Sequence, residues 1–208
     1  MSRITSPQCK LCRREGMKLY LKGFRCHTVK CAFERRPHPP GIHHWRRGSP
    51  SEYSAHLREK QKLKRFFGMN EGQFRRIFRA AEKMPGNTGA NLLALLERRL
   101  DNAAYLLGWG LSRRDARQLV SHGHIYVNGR KLDVPSYLVR EGDVITLKQS
   151  ERSKNRLAVN LEASKDAEVP SWLEAQPEPP QGRVLRLPTP DDASLLVEVQ
   201  LVVELCSR

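Results

Sequence analysis

The chain has 208 residues, with 37 Lys and Arg against 22 Asp and Glu and a formal net charge of +15; its pI is near 10.1 and its mean hydropathy is −0.59. That length holds one large or two small domains with a real core, and the charge calls for a polyanionic partner. No apolar run approaches the roughly 20 residues of a spanning helix and no secretory signal is apparent, so nucleic acid in the cytoplasm is expected rather than a membrane surface. The charge is uneven: net +13 over residues 1–65, +6 over 66–162 and −4 over 163–208. The polyanion is therefore expected along the first two thirds.

In chain order, the first signal is Cys9-x-x-Cys12 followed by Cys26 and Cys31. A CxxC pair lets two thiolates from one turn approach a single ion, a second pair closes the tetrahedron, and four thiolates suit one structural Zn²⁺. An iron–sulfur cluster uses the same ligands, so spacing leaves it open; two disulfides are disfavoured in a basic chain without a secretion signal. His27 adjoins a full ligand set, and Cys206 is left over as a small apolar side chain. Arg13, Arg14, Lys22, Arg35 and Arg36 make this segment, residues 1–45, a basic surface for RNA. Residues 34–50 are rich in Pro, Gly, His and Arg, and Pro39-Pro40-Gly41 prevents a helix. His38, His43 and His44 are read as part of an irregular segment lying along RNA with Trp45, rather than as a second metal site.

Ser51 to Gly68 reads as a helix capped by Ser51, with Tyr53, Leu57 and Leu63 as its apolar stripe and Arg58, Lys60, Lys62, Lys64 and Arg65 crowding the rest. Asn70 caps a second helix whose Phe74, Ile77, Phe78 and Ala81 fall at helical spacing. Pro85 to Gly89 breaks the chain, Thr88 is the expected cap, and Leu92, Leu93, Leu95 and Leu96 form a third apolar face. A helical domain over 46–97 follows.

From Arg98 to Leu147 the pattern is helix, helix, then small antiparallel strands. Ser112 is an N-cap and Asp115 closes a capping box. Ala116, Leu119 and Val120 face inward, and Arg113, Arg114 and Arg117 are expected outward as a row of phosphate contacts. Gly123 ends the helix, and Ile125-Tyr126-Val127 runs into Asn128-Gly129, a hairpin whose two turn residues tolerate positive φ. On this reading Arg113→Ala or Arg117→Ala weakens RNA binding without moving the melting temperature. Beyond the hairpin, Glu151 to Ala163 reads as a polar helix, residues 176–182 as a Pro-rich acidic loop and Val184 to Leu187 as a short strand. The tail is open between two readings: alternating Val197, Val199, Leu201, Val203 and Leu205 suit a strand, and the alternative is a helical end, over about 196–208, that returns to the first domain.

The order RLDN, SRRDARQLV, GHIYVNG and a GD-containing strand closely resembles the RNA-binding module named after ribosomal small-subunit protein four. With CxLCRREGxKLYLKG, PPG, LREKQKL and NLLALLERRLDN before it, nearly the whole chain resembles the bacterial family of that protein in its four-cysteine form. The resemblance implies an α+β fold: a zinc-bound segment and small helical domain, then an RNA-binding domain over 98–195, its module at 98–158, with helices packed on a small antiparallel sheet. It implies a structural constituent of the small ribosomal subunit and no enzyme. Such a protein binds the junction in the 5′ domain of small-subunit rRNA, nucleates assembly and contributes to accuracy beside the fifth and third proteins. It further implies contact with mRNA along the path where it enters, at Arg46 and Arg47, and, for some members, with the mRNA of its own operon. His122, His124, Asn128, Arg130 and Lys131 join the RNA set through the module. Because the same module occurs elsewhere, the alternatives are a free-standing RNA chaperone and a pseudouridine synthase, the latter needing a separate catalytic domain.

Overall fold

The computed structural model describes residues 4–43, 49, 51–163, 168–176, 179–193 and 197–207, with no description of the Arg152 side chain. The chain divides into two compact units, Met1–Leu92 with Ser194–Arg208, and Leu93–Ala193.

The first unit opens with α1 (Gln8–Glu15), ended by Gly16 at φ +70°. A 3₁₀ turn over Gly23–His27 and the single turn α2 (Ala32–Arg35) follow. Helix α3 (Glu52–Phe66) begins at Ser51, whose hydroxyl accepts from the Ser54 N–H. Helix α4 (Glu71–Glu82) begins at Asn70, whose side-chain oxygen accepts from the Gln73 N–H at 2.9 Å. Both are local caps that satisfy a donor the first helical turn leaves unpaired. Helix α5 runs over Thr88–Glu97, but its cap is Asn87, which accepts from the N–H groups of Gly89 (2.8 Å) and Ala90 (3.1 Å); Thr88 is already the first helical residue, so the cap falls one position earlier. Phe74, Phe78, Ala81 and Leu92 are buried in this unit, while Ile77 is half-buried.

Two sequence readings change here. The buried stripe of α3 is His56, Lys60, Leu63 and Phe66, while Tyr53 is exposed. The reason is the tail: Val199–Cys206 forms α9, a helix, and packs along α3. The alternating valines and leucines of the tail therefore serve a helix, with Val202 fully buried. The readings for His44, Trp45, Arg46 and Arg47 lie outside the described residues.

The second unit contains the end of α5, α6 (Leu100–Leu106) and α7 (Arg113–Ser121). Its strands are β1 (Ile125–Val127), β2 (Arg130–Lys131), β3 (Val144–Leu147), β4 (Leu173–Gln176) and β5 (Gln181–Val184), in an antiparallel sheet ordered β2-β1-β3-β5-β4. Val127 pairs with Arg130 across Asn128 (φ +50°) and Gly129 (φ +76°), the two positive φ values of a type I′ turn. Helix α8 covers Glu151–Ala163 as read from sequence. One core gathers Leu100, Leu107, Trp109, Leu119, Val120, Ile125, Ile145, Leu157 and Trp172 from helices and sheet alike. Strand β5 occupies Gln181–Val184, three residues earlier than the Val184 to Leu187 reading, and takes Gln181 and Gly182 out of the expected loop. A Cβ on Gly182 would stand 2.4 Å from Leu107 Cδ1, so the glycine lets β5 lie close to the end of α6, and a larger residue would have to push the Leu107 side chain aside.

Candidate nucleic-acid interface

In the first unit, burial and ion pairing sort the basic residues. The Glu15 side chain is fully buried and takes Arg58 Nη1 at 3.2 Å together with Arg65. Burial pushes the Glu15 carboxyl up, against the pull of Arg65 and Arg58. Lys60 (2.7 Å) and Lys64 (2.9 Å) both reach Glu71, and Lys62 pairs with Glu59. Burial pushes the Glu71 carboxyl up, but hydrogen bonds from Lys60, Lys64 and Arg75 outweigh it and hold the group at about 2. None of the five basic residues nominated on α3 is exposed. Arg13 also turns inward, its Nε donating to the His38 carbonyl at 2.9 Å. Arg14, Lys22, Arg35 and Arg36 remain on the surface.

Cys12, Cys26 and Cys31 are buried and Cys9 is half-buried, all four as free thiols. They share one neighbourhood. Burial pushes the Cys12 thiol up, and the charges of Cys26, Cys9 and Cys31 add to that push, while the backbone N–H of Leu19 counters it. The Lys22 N–H likewise donates to Cys26 Sγ at 3.4 Å. Among the described residues no group of three or more His, Cys, Asp or Glu side chains is gathered closely enough to hold a metal ion. The donor chemistry, four thiols with backbone N–H groups directed at Cys12 and Cys26, suits a thiophilic ion, but closure of a tetrahedron requires the thiols to draw together.

In the second unit the expected arginine row is split. Ser112 caps α7 by accepting from the Asp115 N–H at 3.3 Å, yet the Asp115 carboxylate reaches past the cap to the Leu111 N–H at 3.1 Å, so the reciprocal capping box does not close. Of the three arginines only Arg114 is exposed. Arg113 Nε donates to Asn102 Oδ1 at 2.8 Å, and its guanidinium carbon lies 4.5 Å from the centre of the Tyr105 ring. Asn102 in turn donates to Glu97 at 2.5 Å. Arg117 Nη1 reaches Asp101 Oδ2 at 3.3 Å, beside a bidentate pair between Asp101 and the fully buried Arg99, at 3.0 and 2.6 Å. Burial pushes both the Arg113 and the Arg117 guanidinium down, with the neighbouring acids opposing. The outward reading of Arg113 and Arg117 is therefore corrected: their acceptors come from α5 and α6, which periodicity within α7 does not reveal. Asp101 is an ion-pair centre for two arginines.

Beyond α7, His122, Asn128, Arg130 and Lys131 are exposed and His124 is half-buried. Asn128 is also structural: its amide donates to Asp143 at 2.8 Å and its oxygen accepts from the Val144 N–H at 2.9 Å, tying the hairpin turn to β3. His122 and His124 lie nearly parallel, 6.4 Å between ring centres, and His124 Nδ1 is 2.9 Å from Ser153 Oγ. Together with Gln118 and Arg156 they line a pocket of about 380 Å³. Neither Gln118 nor Arg156 was nominated from sequence. Gln118 is one turn from Arg114, but Arg156 arrives from α8, held there by Asp115, and no local signal announces it. The exposed cations Arg114, Arg130 and Lys131 suit phosphates, and the polar lining of this pocket suits base edges.

Comparison with known proteins places the chain in a family. Residues 3–97 match the family described as ribosomal protein S4/S9 N-terminal domain, and residues 98–145 match the S4 domain. The small ribosomal subunit protein uS4 of Halothermothrix orenii is 55% identical over 208 residues, covering all of both chains. The proteins of the same name from Thermus thermophilus and Caldicellulosiruptor bescii are 54% and 53% identical, again over the full length of each chain. The chain belongs to the uS4 family. These relatives are named as small-subunit ribosomal proteins and not as enzymes, and they match over the full length of each chain. Among the described residues no helix is long and apolar enough to cross a membrane.

Proposed function

We propose that this chain is a structural constituent of the small ribosomal subunit that holds rRNA helices together by charge and shape. The observation that carries the reading is identity above 50% to proteins named small ribosomal subunit protein uS4 over the full length of each chain. The chain binds small-subunit rRNA and neighbouring ribosomal proteins. Arg14, Lys22, Arg35 and Arg36 in one unit, and Arg114, Arg130 and Lys131 in the other, are the exposed groups that would neutralise phosphates, with the exposed His122 as a hydrogen-bonding neighbour of RNA. The pocket lined by Gln118, His122, His124 and Arg156 would take an unpaired nucleotide, since RNA is read in detail where bases are splayed from the helix. The finer placement is at the junction in the 5′ domain, where binding would act early in assembly. The fifth and third small-subunit proteins are the proposed neighbours, with consequences for accuracy. Arg46 and Arg47 would lie along the incoming mRNA, and the mRNA of its own operon is a further proposed ligand.

Crosslinking to RNA in growing cells, with sequencing of the attached fragments, tests this reading. Crosslinks concentrated in the 5′ domain of small-subunit rRNA are expected; crosslinks dominated by tRNA or large-subunit RNA would overturn it.

Cys9, Cys12, Cys26 and Cys31 would hold one structural Zn²⁺. The segment between the two pairs has little apolar surface to bury, and metal binding would supply the ordering free energy that burial does not. Protein purified without chelators is expected to carry one zinc per chain by atomic emission. A ratio well below one, or iron–sulfur absorption in the visible, would reject the assignment.

A further inference from the structure

The turn between the two cysteine pairs has an inside and an outside. Leu19, Gly23 and Cys26 are buried, whereas Tyr20, Lys22, Phe24, Arg25, His27, Val29 and Lys30 are exposed. Phe24, on the 3₁₀ turn, shows 68% of its surface to solvent. Tyr20 and His27 stack, with ring centres 5.0 Å apart and planes inclined by 26°. Tyr20 also holds φ +49°, a left-handed conformation that an L-residue with a bulky side chain rarely takes, and the Gly23 N–H closes the turn onto its carbonyl at 3.4 Å. The backbone is thus held in an unfavourable conformation while presenting aromatic rings to water. The surrounding charge has one sign. Residues 16–33 contain Lys18, Lys22, Arg25 and Lys30 and no carboxylate, and among the described residues only Lys18 is paired with an acid, Glu34. An apolar protein partner does not explain three exposed cations beside the rings, whereas a nucleic-acid strand uses both features, its bases stacking and its phosphates meeting the cations.

We propose that the Tyr20–Lys30 turn is a base-stacking platform: an unpaired RNA base packs on the Phe24 ring, a second on the Tyr20–His27 pair, and Lys22, Arg25 and Lys30 take the flanking phosphates. This rests on the rRNA reading and extends it, since it assigns a site that reads unpaired bases in the cysteine segment.

The test is titration of the full-length protein against a transcript of the 5′ domain of small-subunit rRNA at several salt concentrations. Phe24→Ala is expected to weaken binding roughly 5- to 100-fold, the range for loss of one stacked base. The slope of log affinity against log salt should stay unchanged, because no charge is lost. Phe24→Trp should restore affinity, and the melting temperature of both variants should match the parent. Lys22→Ala, in contrast, should reduce the salt slope by about 1. Affinity of Phe24→Ala within twofold of the parent would overturn the platform. So would full RNA affinity combined with failure to enter small-subunit particles, which would assign the face to a protein neighbour. If the parent chain itself does not bind the transcript, the rRNA reading falls and the platform with it.

Discussion

Arg113 and Arg114 are adjacent in sequence and opposite in role. Arg113 donates to Asn102 and lies over Tyr105, and Asn102 continues the chain of bonds to Glu97. Its removal leaves buried acceptors without a donor, which costs about 2 kcal/mol. Arg113→Ala is therefore expected to lower the melting temperature by roughly 10 °C for a unit of this size, measured by circular dichroism. Arg114→Ala is expected to leave the melting temperature unmoved while weakening RNA binding several-fold, because its side chain is exposed. Equal thermal effects of the two substitutions would contradict this division. Asp101 follows the same logic: with Arg99 and Arg117 on one carboxylate, it is a fastening point of the module.

At the scale of elements, α3 shows why a basic helix is not automatically an RNA surface. Its lysines and arginines are drawn onto Glu15, Glu59 and Glu71, so the row is tied to α1, to itself and to α4. The consequence is an acid limb in stability. The Glu71 carboxyl is held at about 2 against an ordinary 4.5. A carboxyl depressed in the folded state contributes fully above its unfolded value and loses that contribution as pH falls through 4.5 toward 2. Glu71 is about a third exposed, so solvent screening reduces its share to about 1 kcal/mol. Glu71→Gln should flatten the decline between pH 4.5 and 2 in urea titrations and lower stability at pH 7. An unchanged acid limb would show that the three-cation cluster does not stabilise the fold. The α6–α7 turn depends on a close approach of another kind. A Cβ on Gly110 would stand 2.6 Å from the Ala116 backbone nitrogen, which cannot move aside. Gly110→Ala is expected to destabilise the second unit by about 1–3 kcal/mol, the cost of overpacking, read from its unfolding midpoint.

At the scale of the whole molecule, the last helix belongs to the first unit although the entire second unit, Leu93–Ala193, separates them in sequence. Val202 is fully buried and His56 Nε2 on α3 lies 3.6 Å from Glu204 on α9. Deleting Val199–Cys206 uncovers the His56, Lys60, Leu63 and Phe66 face and should cost at least about 2 kcal/mol. Hydrogen exchange should then accelerate in α3 and stay unchanged in β1 and β3. Unchanged protection in α3 would mean that α9 adds nothing to the first unit.

What the sequence determined by itself is what depends on neighbours within a few residues. Ser51, Asn70 and Ser112 cap helices because a short polar side chain reaches an N–H two or three positions ahead. Asn128-Gly129 turns a hairpin because both residues accept positive φ, and the order of such local motifs was enough to place the chain in its family. Tertiary structure decided whatever depends on a partner far along the chain. Arg113 and Arg117 turn inward because α5 and α6 bring Glu97, Asp101 and Asn102 beneath them. The tail is helical because α3 offers it a face, β5 takes in Gln181 and Gly182 because β3 and β4 pair with them, and Arg156 reaches the histidine pair because α8 folds back over α7. A side chain's direction follows the acceptors and surfaces around it, and those are known only once the chain has folded.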